Sequence, residues 1–396
     1  RLQDMVQQRQ ALTQQAEQLK AGVAQLQRQP QDESTQEQIR DMQAERTAVM
    51  TLRVKTDRQP TLNFLTDEGL LPNYAFPEAG VTLQSVILRR VAPGQGKDGS
   101  PYEKLGHSFQ RPAQAALSEL APENRFYAVS HKLPIDKIDL LSSSAESWRF
   151  CDRCQYTERV DTGDVHSVCP RCGSAQWADS GQKRSVLKLK QVYSTVSDRD
   201  SRISDDSEQR EPVFYSRQML LDAAPDATVG GYHIRDEQLP FGFEFLRRVT
   251  LREVNFGARG EPTNSFRVAG QELARPGFRI CRHCGKVQKK RPRRGERMHD
   301  FTCPVAKDPD SDGPEHYLDS LYLYRELESE AIRILLPLSE VAYSDEKLHS
   351  LIAALNLGLQ RYFHGNVHHL EVTDVRMPAA EGVGEQVFLV IYDRVP

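Results

Sequence analysis

The chain has 396 residues, a formal net charge of −3 at pH 7, 38% hydrophobic residues and 27% charged residues. This length predicts two to four structural units rather than one core. The near-neutral charge excludes a global basic field, so any contact with nucleic acid has to come from a local patch. No apolar run is long enough to span a membrane and no signal peptide is present, so we expect a cytoplasmic protein without a membrane partner.

Residues 1–56 are predicted to form a helical hairpin, because an apolar residue recurs every seven positions and gives a heptad seam. The seam residues are Met5, Leu12, Leu19 and Leu26. Ser34 and Glu37 have the spacing of a capping box at the start of a second amphipathic helix. Two interpretations stay open, a spacer that packs against its own body and a coiled coil that binds a partner.

The sequence patterns after residue 56 indicate small mixed and β-rich lobes, so we predict an α+β fold. The pattern at 321–338 predicts strand around a turn, and Ser344 is expected to cap an amphipathic helix. We divide the chain into four predicted domains. These are the helical hairpin 1–56, a small mixed or barrel-like unit 59–145, a four-cysteine zinc-ribbon-like lobe with a charged linker 146–212, and an α+β lobe 213–396.

All seven cysteines fall in two clusters, and the first cluster has the pattern C-x2-C-x14-C-x2-C. Two residues between cysteines form a tight knuckle that directs both sulfurs at one ion, and Zn²⁺ prefers four tetrahedral ligands. Gly173 after the second knuckle allows a turn with positive φ. The pattern predicts a structural zinc site; the alternatives are a redox pair of cysteines and His166 as a substitute ligand. The predicted ligands are Cys151, Cys154, Cys169 and Cys172.

The second cluster repeats the knuckle and then replaces one cysteine by histidine, in the pattern C-x2-C-x14-H-x3-C. Its middle gap equals that of the first cluster, and imidazole is an ordinary zinc ligand. The predicted ligands of this second zinc ion are Cys281, Cys284, His299 and Cys303. His283, inside the knuckle, and His316, beyond the cluster, are the alternative ligands.

A basic segment runs between the ligands of the second site. From Arg282 to Arg297 there are eight basic residues and one acidic residue. The segment has no aromatic side chain for base stacking, so it is predicted to contact the phosphate backbone of DNA without reading its sequence. The alternative is a solvated loop. The predicted contacts are Lys286, Lys289, Lys290, Arg291, Arg293, Arg294 and Arg297.

No catalytic motif accompanies these clusters. The sequence contains no phosphate-binding G-x-x-x-x-G-K-[ST], no H-E-x-x-H and no G-x-S-x-G. A nuclease is disfavoured because the required histidine and asparagine or carboxylate set is missing. The segment itself is therefore predicted to be non-catalytic.

Several phrases, in this order, resemble one family. The chain is similar to the zinc-binding C-terminal region of bacterial superfamily 2 DNA helicases of the DEAD/DEAH type. Such regions occur in mitomycin-repair helicases and in the helicases of the DISARM and Druantia phage-defence systems, with the Druantia helicase as the first comparison. The phrases are LNFLTDEGLLPNYAFP (62–77), FQRPAQAALSELAPENRFYAV (109–129), WRFCDRC (148–154), CPRCG (169–173), RRVTLREVNFG (247–257), GFRICRHCGKV (277–287), HDFTCP (299–304), LYLYRELESEAIRILLP (321–337) and FLVIYDRVP (388–396).

The resemblance implies a non-catalytic accessory region of an ATP-dependent DNA helicase. ATP and Mg²⁺ would bind in motor domains of the same protein, expected before Arg1, since the chain does not begin with Met. The implied partners are DNA, the motor in cis and a protein of a defence system, with a role in phage defence or DNA repair. The alternative function is a protein–protein interaction module. The chain departs from the pattern of this family at two places. Residues 1–56 look like a helical insertion, and His299 stands where a cysteine is expected.

Overall fold

The structure is a computed structural model of the chain. It describes residues 2–57, 65, 80–91, 102–160, 166–203, 213–224, 226–235, 241–259, 265–274, 277–289, 297–307, 313–336, 344–365, 367, 369–378 and 385–394. The phrase at 71–77 and the basic residues at 290–294 lie outside the described residues.

The chain forms two compact units, each assembled from three separate segments. Unit 1 comprises Arg1–Ala145, Leu187–Tyr215 and Gly277–Leu323; unit 2 comprises Glu146–Val186, Ser216–Pro276 and Tyr324–Pro396. The division into four consecutive domains stays a prediction.

The α+β class predicted from the sequence is confirmed, with a helical pair preceding β-rich units. The helices are α1 (Leu2–Leu26), α2 (Glu33–Asp57), α3 (Ala113–Glu119), α4 (Asp198–Ser201), α5 (Pro304–Lys307) and α6 (Asp345–Tyr362). The strands are β1 (Val81–Arg90), β2 (Tyr102–Arg111), β3 (Arg125–Ala128), β4 (His131–Pro134), β5 (Lys137–Ile138), β6 (Glu146–Phe150), β7 (Thr157–Arg159), β8 (Lys183–Lys188), β9 (Gln191–Ser197), β10 (Tyr215–Ala223), β11 (Thr228–His233), β12 (Gly242–Ala258), β13 (Ser265–Val268), β14 (Gln271–Ala274), β15 (Phe278–Cys281), β16 (Tyr317–Leu335), β17 (Leu370–Pro378) and β18 (Glu385–Asp393).

The helical hairpin of unit 1 is antiparallel. Its apolar seam buries Leu12, Ala16 and Leu19 against Val49 of α2. The predicted capping box is wrong: α2 begins at Glu33, and the Asp32 carboxylate accepts the Thr35 N–H at 2.7 Å. Asp32 occupies the capping position because its side chain reaches the third residue of the helix, which is the reach that an N-cap needs.

The small sheet of unit 1 has the strand order β2-β1-β9-β5. β1 runs antiparallel to β2, with Val81 opposite Arg111, and parallel to β9, with Thr82 opposite Gln191. Ala48 of α2 packs against the buried apolar face of β1. The hairpin therefore packs against its own body.

The larger sheet has the strand order β10-β12-β16-β8-β6-β7, with β11 paired to β12 and with β18 pairing both β16 and β17. The residues of β16 up to Leu323 belong to unit 1, where Leu321 lies opposite Phe278 of β15. In unit 2, Leu246, Val249 and Leu251 of β12 form a core with residues of β16 and β18. Helix α6, capped by Ser344 as predicted, covers β17 and β18 through Leu348.

The turn predicted within 321–338 does not occur in the described part of this range, which ends at residue 336, because β16 continues without interruption from Tyr317 to Leu335. Its charged residues are cross-strand partners rather than turn residues. Arg325 is buried and donates to Glu253 at 2.7 Å. Arg252 pairs with Glu326 in the same way at 2.7 Å.

In the ranges that the structure describes, no helix combines the length and the apolar character needed to cross a membrane.

Candidate metal centres

The first metal centre lies in unit 2, where the four predicted cysteines meet. All four sulfur atoms lie within 4.8 Å of one another. The Cys151 and Cys172 sulfurs are 3.5 Å apart, and those of Cys154 and Cys169 are 3.6 Å apart. A tetrahedral ion with Zn–S bonds of ~2.3 Å requires sulfurs about 3.8 Å apart, so the donor set fits zinc.

Local backbone geometry holds both knuckles of this centre. The N–H groups of Arg153 and Cys154 point at the Cys151 sulfur at 3.4 Å each. Gly173 has φ of +71°, as predicted, and its N–H donates to the Cys169 carbonyl at 2.9 Å. Such a left-handed turn strains any residue with a Cβ. Trp177 is buried against the cysteines and shields them from water.

The second metal centre lies in unit 1 and contains the four residues predicted for it. The Cys281 and Cys303 sulfurs are 3.7 Å apart, and the His299 Nδ1 atom lies 3.8 Å from the Cys284 sulfur and 3.6 Å from that of Cys303. The opposite nitrogen, Nε2, lies 3.1 Å from the Tyr317 hydroxyl. This contact orients the imidazole so that Nδ1 faces the ion, as outer contacts of metal-bound histidines usually do.

The alternative histidines do not join either centre. His283 and His316 hydrogen-bond to each other at 2.9 Å, and neither belongs to the cluster of the second site. His166 lies 4.0 Å from the Glu158 carboxylate and is absent from the first cluster. The predicted ligand sets are therefore the ones that the fold assembles.

The thiols of both clusters are close enough to shift one another's proton affinity. Hydrogen bonds from Cys151 and Cys154 lower the pKa of Cys169 to about 2. Hydrogen bonds from Cys284 and Cys303 lower the pKa of Cys281 to about 3. Each cluster thus offers a thiolate, which is the form that binds a metal.

Gly285 after the knuckle of the second centre permits a close approach to β5. Its φ is +76°, and a Cβ at this position would lie 2.2 Å from the Ile138 carbonyl oxygen. The Gly285 carbonyl accepts the Ile138 N–H at 2.9 Å. The second knuckle is thereby hydrogen-bonded to the small sheet of unit 1.

The helical hairpin holds the other side of the second centre. Phe301, between the ligands His299 and Cys303, packs into the seam of the hairpin. Its N–H lies 3.0 and 3.2 Å from the two Glu45 carboxylate oxygens. Arg297 pairs with Asp41 at 2.9 Å, and its guanidinium carbon lies 3.6 Å from the Phe301 ring centroid. Sequence patterns gave no signal for these contacts.

Three of the predicted DNA-contacting residues lie within the described ranges. Lys286, Lys289 and Arg297 line one cavity of about 190 Å³. Lys286 lies 3.9 Å from the buried Asp300 carboxylate, and Arg297 is paired with Asp41. Burial raises the pKa of Asp136, in the same cavity, to about 6, although the charge of Lys286 opposes this shift. The remaining predicted contacts, Lys290, Arg291, Arg293 and Arg294, lie outside the described residues.

Comparison with known proteins gives a weak structural similarity and no match by sequence. No family profile matches the chain, and no curated protein matches it. Among solved structures, the crystal structure of the DUF1998 helicase MrfA bound to DNA is similar over 79% of this chain, with a TM-score of 0.30 and 10% identity. This chain covers 26% of the length of that helicase. A TM-score this low does not establish a common fold.

Proposed function

We propose that this chain is a zinc-binding, non-catalytic accessory region of an ATP-dependent DNA helicase or translocase. The family resemblance of its sequence supports the helicase context, and a role in phage defence or DNA repair belongs to the same proposal. Two complete sets of thiolate and imidazole ligands support structural zinc, because neither set leaves an open coordination position. ATP and Mg²⁺ would be bound by motor domains elsewhere in the parent protein.

The observation that carries the DNA-binding proposal is the second metal centre and its basic segment. The centre fixes both ends of residues 285–298, and three cations of that segment line one cavity. Anchored ends reduce the conformational entropy that such a segment loses when it meets DNA. Its cations would contact phosphates and would leave sequence unread.

The test is charge reversal within the segment. We choose Lys289→Glu, Lys290→Glu, Arg293→Glu and Arg294→Glu together, because Lys286 and Arg297 have structural roles beside the metal centre. Affinity for a short labelled duplex should fall by at least ~100-fold at low salt, and the slope of log K against log salt should shrink by about 3 to 4. Fluorescence anisotropy across a salt series measures both quantities.

The matched control reverses four exposed cations elsewhere, Lys20, Arg28, Lys183 and Arg361. It changes the net charge by the same amount, so it should weaken binding only slightly. Equal affinity and equal salt slope in the loop variant and the wild type would refute the DNA role of this segment.

A protein-interaction module is the second candidate, and one surface favours it. The hairpin of β11 and β12 exposes Tyr232 by 64% and Phe245 by 39%, and both rings contact Phe243. Exposed aromatic clusters of this kind mark interaction surfaces. Absence of any DNA binding by the wild-type chain in the same salt series would favour this function over the first.

A further inference from the structure

Three aromatic side chains form an exposed row on the hairpin of β11 and β12 in unit 2. Tyr232 lies directly opposite Phe243 in the strand register, and Gly230 lies opposite Phe245. Residues that face each other across an antiparallel pair point to the same side of the sheet, and so does every second residue along a strand. Tyr232, Phe243 and Phe245 therefore share one side of the sheet, which we call the aromatic face.

The rings of the aromatic face are arranged as a stack with one open end. Tyr232 and Phe243 are stacked, with ring centroids 5.3 Å apart and planes inclined by 28°. Phe245 meets these two rings edge-on, at centroid distances of 6.4 and 5.7 Å. Tyr232 is 64% exposed, so the ring surface that turns away from Phe243 lies in solvent. A ring that is covered on one surface and open on the other is suited to stack with a nucleobase.

Gly230 leaves room beside this stack. Apart from its own chain neighbours, a Cβ at this position would meet no heavy atom within 4 Å. Because Gly230 lies opposite Phe245 and has no side chain, it leaves the flank of the Phe245 ring uncovered next to Tyr232. Phe245 is accordingly 39% exposed. The hairpin therefore has space for a second planar group beside the one that stacks on Tyr232.

The charges around the aromatic face favour an anionic ligand. Arg247 follows Phe245 by two positions on β12 and is exposed, and Arg235, just after β11, is exposed as well. The Glu244 carboxylate alternates to the opposite side of the sheet, where it pairs with Arg333 of β16. In β11 and residues 241–247, the described chain thus places no carboxylate on the aromatic face. Exposed rings with arginines beside them match the bases and phosphates of a nucleic-acid strand.

We propose that the aromatic face binds single-stranded nucleic acid, with one base stacked on Tyr232 and the neighbouring phosphates close to Arg247 and Arg235. Every base has an aromatic surface, so such stacking tolerates any sequence. A duplex does not fit, because its bases are already stacked on one another. A protein partner would use the same rings, but the arginines beside them favour a strand with phosphates.

This site goes beyond the proposed function in two respects. It lies in unit 2, whereas the basic segment and the second metal centre lie in unit 1. It also contacts unpaired bases, whereas the basic segment contacts phosphates alone. The two sites can therefore be tested separately.

Fluorescence anisotropy of the whole zinc-loaded chain with two labelled strands tests the contribution of the bases. The first strand is oligothymidine of about 15 nucleotides, within the range of site sizes of single-strand-binding folds. The second is an abasic strand of the same length, which keeps every phosphate and lacks every base. Oligothymidine should bind at least ~5-fold more tightly than the abasic strand. Oligouridine of the same length shows whether the preferred strand is DNA or RNA, since both offer bases to the ring.

Tyr232→Leu is the most informative variant, because it keeps an apolar side chain and removes the aromatic ring. The affinity for oligothymidine should fall at least ~5-fold, and the affinity for the abasic strand should stay unchanged. Tyr232→Trp keeps a ring and should bind oligothymidine as the wild type does. Tyr362→Leu, at a position of α6 that is 78% exposed, is the matched control and should leave both affinities unchanged.

Two further variants test the space and the charge beside the ring. Gly230→Val fills the room next to Phe245 without removing a ring; the Gly230 backbone is not left-handed, so valine fits the strand. It should weaken oligothymidine binding by a similar factor to Tyr232→Leu. Arg247→Gln should reduce the slope of log K against log salt by about 0.7, the value for one phosphate contact of a single strand. It should preserve the preference for oligothymidine over the abasic strand.

Three results would overturn the proposal. They are equal affinity for oligothymidine and the abasic strand, unchanged oligothymidine affinity in folded Tyr232→Leu, and the same loss of affinity in Tyr232→Trp as in Tyr232→Leu. Each would leave a protein partner as the occupant of the aromatic face. Should a variant fail to fold, the comparison of the two strands on the wild type still decides. Charge reversal in the basic segment should weaken both strands alike and keep their ratio, so failure of that segment and failure of this face are separable.

Discussion

At the scale of residues, the second metal centre is surrounded by buried charges that partly compensate one another. Asp300, next to His299, is buried and ion-paired with Lys137 at 2.7 Å. The Gln15 amide lies 3.4 Å from both the Asp300 and the Glu45 carboxylates. Burial, and then the negative charge of Asp300, raise the pKa of Glu45 to about 7. Glu45 therefore keeps its proton in the folded chain at pH values where the unfolded chain has released it.

This predicts a pH dependence with a defined sign. Between about pH 4.5 and 7 the folded state binds more protons than the unfolded state, so the free energy of unfolding falls as the pH rises through that window. One pKa unit corresponds to about 1.4 kcal/mol, so Glu45→Gln should stabilise the chain by about 2–3 kcal/mol at pH 8 and leave it unchanged at pH 4.5. Urea unfolding at both pH values measures the difference between variant and wild type.

Loss of metal in acid lowers the free energy of unfolding of both proteins equally. It therefore drops out when the wild-type value is subtracted from that of the variant at each pH. Glu17→Gln, at an exposed position of α1, is the control and should show the wild-type pH dependence. A Glu45→Gln variant with the slope of the wild type would contradict the assignment of this dependence to Glu45.

At the scale of elements, the helical hairpin is part of the core of unit 1. Its seam residues pack against Phe301 of the metal-binding segment, and Ala48 packs against β1. Of the two interpretations that the heptad pattern left open, these contacts agree with the hairpin that packs against its own body. Loss of packing in the seam should therefore destabilise unit 1 rather than a detached coiled coil.

Leu19→Ala tests this expectation. Leu19 is fully buried in the seam, and removal of a buried leucine side chain costs about 2–5 kcal/mol of unfolding free energy. Val6 on the same helix is 46% exposed, so Val6→Ala should change stability by less than ~0.5 kcal/mol. Denaturant unfolding of both variants provides the comparison. Equal stability of Leu19→Ala and the wild type would show that the hairpin unfolds separately from unit 1.

Sequence patterns predicted these elements unevenly, for physical reasons. The heptad seam and the cysteine spacing are local signals, so Leu19 and the eight residues of the two candidate metal centres could be identified from the sequence. The cap of α2 could not, because Asp32 and Ser34 are both good capping residues and only the backbone geometry selects between them. The continuity of β16 could not be predicted, since the partners of its charged residues lie on another strand.

No sequence pattern predicts the cavity of about 360 Å³ in unit 2. Gln155, Gln218 and Arg376 are far apart along the chain and follow no motif, and only the fold brings them together. The same holds for the contact between Glu45 and the Phe301 N–H. Local patterns can reveal metal ligands, whereas sites built from single residues of distant segments require the tertiary structure.

At the scale of the whole molecule, the two metal centres belong to different units. The four cysteines of the first lie in unit 2, and the three cysteines and His299 of the second lie in unit 1. Each centre has a complete set of ligands from its own unit. Loss of one metal should therefore leave the other centre intact.

His299→Ala should reduce the zinc content from two ions per chain to one. Amide hydrogen exchange should rise in 2–57 and 277–307, which contact the second centre, and stay unchanged in 146–186. Metal analysis and exchange by mass spectrometry measure the two effects, with His283→Ala as the control that keeps both ions. Loss of both ions, or faster exchange in 146–186, would show that the centres depend on each other.

The contact of Gln155 with β10 has an evolutionary consequence. The Gln155 Oε1 accepts the Leu221 N–H at 2.7 Å and joins the first metal knuckle to β10, so loss of this acceptor should alter the fold of unit 2. Among the described residues, the side chains of Gln218 and Gln271 make no hydrogen bond of comparable length. We expect relatives to vary at these two positions while they keep glutamine or glutamate at the position of Gln155.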